Sequence, residues 1–249
     1  MQRYFVNTSA NGERFMLSGE DRNHIRNVMR MQPGDPIICV DSEGKSALCK
    51  ITALTEEQVI AEVVKKLDED TELPIRITIA SGLPKGDKLE WIIQKGTELG
   101  VHAFMPFVAA RSVVKWDDKK AAKKVERWLK IAKEAAEQSH RTFLPDVFNP
   151  VSFKTMLELS NQYDYKLAAF EEESRKGETS TFAATLKKMQ KGESLLLLVG
   201  PEGGLTDEEI NRLKEKDFAI CGLGPRILRA ETAPLYMLAA ISYHFELLG

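Results

Sequence analysis

Two short stretches hold the residues best suited to grip a ligand. "LLLLVGPEGGLTDEE", Leu195 to Glu209, ends an apolar run and then sets Gly200, Gly203 and Gly204 within five residues. "GLGPRILRAETAP", Gly222 to Pro234, again places glycines just past an apolar run, here Gly222 and Gly224. Glycine lets main chain approach a ligand closely and reach φ > 0. One such loop after a strand serves the turn alone; two, after different strands, point to a pocket walled by backbone. The phosphate-loop pattern G-x-x-x-x-G-K-[ST] is absent, and "GLGPRI" puts Ile227 where a dinucleotide fingerprint needs its third glycine. A G-x-G-x-G turn fails at Arg226. The residues by themselves imply a small ligand, held by backbone, in an α/β domain.

Loops of this kind need strands to end on and helices to begin. From Pro74 onward the chain alternates between the two. "IRITIAS", "VHAFMPFVA", "KLAAFE", "SLLLLVG" and "FAICGLG" read as strands. "DKLEWIIQKGTELG", the span 119–139, "SFKTMLELS", "TFAATLKKM" and 232–247 read as helices. Thr206 and Glu209 have capping-box spacing for the helix after the first glycine loop. This alternation predicts a parallel sheet with helices on both faces, and "SLLLLV", apolar on both faces, is expected as a central strand. In open α/β sheets ligands lie beyond the carboxyl ends of the strands, where both glycine stretches fall.

Residues 1–72 read differently, as a small β-rich unit. "IICVD", "SALCKITAL" and "QVIAEVVKK" are expected strands, and "LSGEDRNHIRNVMRM" one short helix with Ser18 as cap and Asp21 in box spacing. The acidic link "LDEDTELP" sets the expected boundary, with domains 1–72 and 73–249.

Composition narrows the classes. The 249 residues are 43% hydrophobic and 29% charged, enough to bury a core. The net charge of −2 argues mildly against a nucleic-acid binder, although it can conceal a local basic face. Three cysteines without a C-x-x-C, and four scattered histidines, ask for neither a disulfide framework nor a metal. No apolar run suits a signal peptide or a membrane span, so a soluble cytoplasmic protein is expected.

The paired motifs "LLLLVGPEGGLTDEE" and "LGPRILRAETA" closely resemble the RsmE family of the SPOUT superfamily, S-adenosylmethionine-dependent enzymes that methylate N3 of a uridine in 16S ribosomal RNA. "KGDKLEWIIQKGTELGV", "ARSVV" and "EQSHR" resemble its upstream motifs, and "HIRNVMRMQPGD" the signature of its N-terminal PUA-like domain. The resemblance covers nearly the whole chain. It implies a small PUA-like β-barrel domain followed by a knotted, trefoil α/β domain with a mostly parallel sheet. It also implies a homodimer through the C-terminal domain, no metal, and 16S RNA of the small ribosomal subunit as partner. Carried over by motif, the cofactor-binding residues are Leu198, Gly200, Pro201, Glu202, Gly203, Leu223, Gly224, Ile227, Leu228 and Arg229.

Methyl transfer to N3 of uracil requires loss of a proton, so a base or an anion-stabilising group is expected. Glu202 and Glu231 are the candidate bases, and Arg229, inside a cofactor motif, joins them as a catalytic candidate or an ion-pair partner. Arg111 and Arg141 are candidates for stabilising the uracil anion. Arg22, Arg26 and Arg30, spaced by four, are expected on one helical face toward RNA phosphates. The resemblance also implies Arg111, His140 and Arg141 as RNA or uracil contacts. Three alternatives stay open: a non-catalytic ribosome-assembly factor, a related methyltransferase acting on another RNA position, and an unrelated nucleotide-binding enzyme.

Overall fold

A computed structural model describes residues 1–6, 13–69, 71–113 and 118–248, with residues 118 and 120 as backbone alone. Asp70 of the acidic link and Val114 of "ARSVV" lie outside the described residues. The chain forms two units, residues 1–72 with 136–144, and residues 73–135 with 145–249.

The first unit holds β1 (Arg3–Phe5), β2 (Arg14–Ser18), α1 (Gly19–Asn23), β3 (Pro36–Val40), β4 (Ser46–Leu54) and β5 (Gln58–Leu67). The sheet order is β1-β3-β4-β5-β2, antiparallel except for the β1–β3 pair. Alternation builds its core: Phe15 and Leu17 from β2, Cys49 and Ile51 from β4, and Val59 and Ala61 from β5 are buried together. β1 and β2, of three and five residues, were not marked in the sequence. Ser18 does cap α1 in position, but its side chain makes no capping bond, so the expected box with Asp21 is not formed. Beyond Asn23 the helix widens into a π-turn, His24–Val28, anchored by the fully buried Ile25.

The second unit begins with β6 (Arg76–Gly82), α2 (Lys88–Glu98), β7 (Ala103–Val108) and α3 (Asp118–Gln138), whose last turn enters the first unit. Then come β8 (Asp146–Val147), β9 (Val151–Ser152), α4 (Phe153–Leu159), β10 (Tyr165–Ala169), α5 (Glu171–Arg175) and α6 (Thr181–Lys188). β11 (Ser194–Val199), α7 (Asp207–Glu215), β12 (Ala219–Cys221) and α8 (Thr232–Ser242) complete it, α8 running on into a π-turn, Tyr243–Leu247. The sheet order is β12-β10-β11-β6-β7-β8, with β9 also on β7, and every pairing is parallel.

β11 is the middle of this sheet because it is apolar on both faces. Leu195, Leu197 and Val199 enter one core cluster, and Leu196 and Leu198 the other. Burying each such leucine is worth roughly 1.5–3 kcal/mol. In register, Leu197 lies between Leu167 of β10 and Ile79 of β6. Because neighbouring strands run the same way, the carboxyl ends of β12, β10, β11 and β6 share one edge. Both glycine loops leave from that edge, at Gly200 and at Gly222. Among the described residues no helix is long and apolar enough to cross a membrane.

Candidate ligand-binding site

A cavity of about 390 Å³ opens at this edge. The first loop contributes Gly200, Pro201, Glu202 and Gly203 to its wall, and the second contributes Leu223, Ile227, Leu228 and Arg229. Two expected residues lie off the wall. Leu198 is fully buried inside β11, and Gly224 sits in the second loop with φ of 91°. Glu231, the residue before α8, stands beside the cavity through its ion pair with Lys88.

Each loop is held by groups from other elements. Gly203 packs on Arg111, where a Cβ would lie 3.0 Å from Arg111 Cβ. Arg111 Nη1 donates to the carbonyl oxygens of Gly203 (3.0 Å) and Leu205 (3.3 Å), so this arginine clamps the first loop. Below the loop, a Cβ on Gly82 at the end of β6 would fall 2.5 Å from Pro201 Cδ. The expected capping box at α7 is formed, and Glu209 Oε1 also accepts from Ala110 N at 2.8 Å. In the second loop, Gly222 N donates to Glu178 Oε2 (3.0 Å) and Leu223 N to Ser174 Oγ (2.9 Å). Burial pushes the Glu178 carboxyl up, but the amides of Gly222, Thr181 and Ser180 outweigh it and hold its pKa at about 2.

The charged groups meet at Lys88, the first residue of α2. Its Nζ lies 2.9 Å from Glu202 Oε1 and 3.2 Å from Glu231 Oε2. Lys85 N donates to the same Glu202 carboxylate at 3.1 Å. Burial raises the Glu202 pKa, yet the Lys88 ammonium and the Lys85 amide prevail and hold it below the ordinary carboxylate range. Lys88 is raised, chiefly by its bond to Glu202. Arg229 is almost wholly solvated, 82% exposed, and reaches Glu231 Oε1 at 4.0 Å only.

The sequence reading missed Lys88, Phe170, Glu171 and Ser174, all of which line the cavity. Lys88 stands in the quoted "KGDKLEW", but no periodicity marks it as a ligand-side group. The other three follow β10, whose carboxyl end carries no glycine signal.

The arginine stripe is corrected. Arg22 is half-buried and donates from Nε to Thr55 O at 3.3 Å, while Arg26 is exposed on the π-turn. Arg30 falls beyond the helix at φ of 53°, because the π-turn ends at Val28. The three therefore do not share one straight helical face. Arg141 is 2% exposed, and its guanidinium is bonded to Glu72. A contact with RNA would require breaking that pair. His140 is exposed, at φ of 59°, just past α3, and Arg141 N donates back to Ala136 O at 3.0 Å to close the helix end. Among the described residues no cluster of His, Cys, Asp and Glu suits a metal ion.

Comparison with known proteins matches residues 71–242 to the RNA methyltransferase domain and residues 17–64 to the RNA methyltransferase PUA domain. The Bacillus subtilis ribosomal RNA small subunit methyltransferase E is 56% identical over 252 residues, covering 100% of this chain and 98% of that protein. Its Synechocystis counterpart is 36% identical, covering 92% of this chain and 73% of that protein. The crystal structure of the Neisseria gonorrhoeae ribosomal RNA small subunit methyltransferase E bound to S-adenosyl methionine superposes with a TM-score of 0.84 at 30% identity, over 97% of each chain. With both domains matched and a relative aligned over 98% of its length, the chain belongs to the ribosomal RNA small subunit methyltransferase E family, RsmE.

Proposed function

We propose that this protein uses S-adenosylmethionine to methylate N3 of a uridine in 16S ribosomal RNA of the small subunit. The observation that carries the reading is the meeting of both glycine loops at one cavity, in a chain whose relatives are named ribosomal RNA small subunit methyltransferase E. The cavity fits the cofactor. Its volume lies in the range of small-molecule sites. Its walls combine main chain with the apolar Val199, Leu223 and Ala233.

When bound, the cofactor supplies an electrophilic methyl group. Gly200, Pro201, Leu223, Ile227 and Leu228 would hold it, backbone groups facing its adenine and methionine parts. Glu202, kept ionised by Lys88, is a poor proton acceptor near neutrality, since an effective base has a pKa near the working pH. Its role is orientation of the loop. Arg226 and Arg229, exposed at the cavity, favour the uracil anion that forms as N3 loses its proton. Arg26, Arg30 and His140, exposed on the first unit, supply RNA contacts. The protein acts as a homodimer in the cytoplasm; exposed Trp91 on α2 and Tyr236 and Tyr243 along the last helix offer an apolar face for it.

The test is nucleoside mass spectrometry of 16S RNA from a strain lacking this gene. Purified protein and labelled S-adenosylmethionine are then added to its small subunits. Missing 3-methyluridine, restored by the protein, is the expected result. Unchanged 3-methyluridine and no label transfer would leave the assembly-factor reading in its place.

A further inference from the structure

The two glycine loops come from different strands, and each is braced separately, the first by Arg111 and the second by Glu178 and Ser174. The Lys88 side chain reaches both. Its Nζ meets Glu202 of the first loop at 2.9 Å and Glu231, at the end of the second, at 3.2 Å. Glu231 Oε2 is buried, and the geometry with Lys88 is that of an ion pair rather than a directed hydrogen bond. Lys88 also lines the cavity and begins α2, whose Leu89, Ile92 and Ile93 are anchored in the core. The tie is therefore fixed to a rigid element.

We propose that Lys88 is a positioning residue that sets the separation of the two loops, so that the cofactor-sized gap exists before the cofactor arrives. The proposal deepens the methyltransferase reading and rests on it for the identity of the ligand. A gap held open by a charged tie spares the ligand the cost of ordering two loops. The tie acts on the loops, not on the transferred methyl, so its loss weakens the methylated and demethylated forms of the cofactor alike.

The experiment compares wild type, Lys88→Met and Lys88→Arg by calorimetry with S-adenosylmethionine and S-adenosylhomocysteine, and by amide hydrogen exchange without ligand. Lys88→Met is expected to weaken both ligands by roughly tenfold, the scale of a lost charged hydrogen bond. Exchange should quicken in both 200–205 and 222–231, with the urea midpoint nearly unchanged. Lys88→Arg should recover most of the affinity. In a Glu202→Gln, Glu231→Gln background the methionine change should have little further effect. Faster exchange in one loop only, a general loss of stability, or an equal effect in the glutamine background would overturn the proposal. Wild type that binds neither ligand would sink the methyltransferase reading instead, while exchange in the free protein still decides the tie.

Discussion

At Gly222 an added methyl group would lie 2.5 Å from the Glu178 carbonyl oxygen and 2.9 Å from the Ser174 amide nitrogen. Both neighbours are backbone, so neither yields cheaply. Gly222→Ala is expected to cost roughly 1–3 kcal/mol, the usual range for overpacking, read as a lower urea midpoint. An unchanged midpoint would mean that the α5–α6 connection shifts freely. The glycine was legible in the motif, but its reason was not: the sequence suggested close approach of a ligand, and the structure shows close approach of the protein's own chain. Glu202 makes the complementary case. Its type and position suggested a base, yet Lys88 and the Lys85 amide keep it ionised. For Glu202→Gln we expect weaker cofactor binding, with the pH profile of transfer at saturating cofactor unchanged between pH 6 and 9. Loss of an ascending limb in that profile would restore Glu202 as the base.

Among the elements, most periodic helices and strands were readable, the three-residue β12 included, while β1, β2, β8, β9 and α5 were not. β4 runs Ser46–Leu54, the span expected from the sequence, while the two-residue β8 and β9 have no room for a period. The same box spacing closed at Thr206–Glu209 and failed at Ser18–Asp21, where the residue three along is the shorter Asp. Glu178, in the α5–α6 connection, drew no attention from sequence because its partners are amides. Its effect is testable by pH. The folded pKa, about 2, lies below the ordinary value of 4.5, so its stabilisation is full above about pH 4.5 and is lost as pH falls through about 2. The stability advantage of wild type over Glu178→Gln should be flat near neutrality and shrink across that window. An advantage that persists below pH 2 would count against the carboxylate as the staple of this loop.

On the scale of the molecule, the sequence drew one boundary, after residue 72, whereas the first unit also takes in 136–144. That returning segment is fastened by buried charge. Arg141 pairs with Glu72, and Arg3 Nη1 donates to the Arg141 carbonyl oxygen at 3.0 Å. Breaking a buried pair by removing one partner is costly. Because Glu72 is 26% exposed, Arg141→Met should fall toward the lower end of about 3–5 kcal/mol. The check is a denaturant melt followed by hydrogen exchange, with β1 and 136–144 losing protection first. Protection lost first around β11 would contradict this account.

What the sequence determined by itself follows from local chemistry and from resemblance. Periodicity gave the alternating elements, two glycine-rich motifs located the cavity wall, and long matched motifs pointed to the family. What only the tertiary structure decided depends on groups far apart in the chain. Lys88 meets Glu202 and Glu231 across more than a hundred residues, Glu178 finds Gly222, and Arg141 turns inward to Glu72. Nothing in the type or spacing of a charged residue says whether its partner is water, RNA or another side chain. Burial and distance make that choice, and both arise only when the chain has folded.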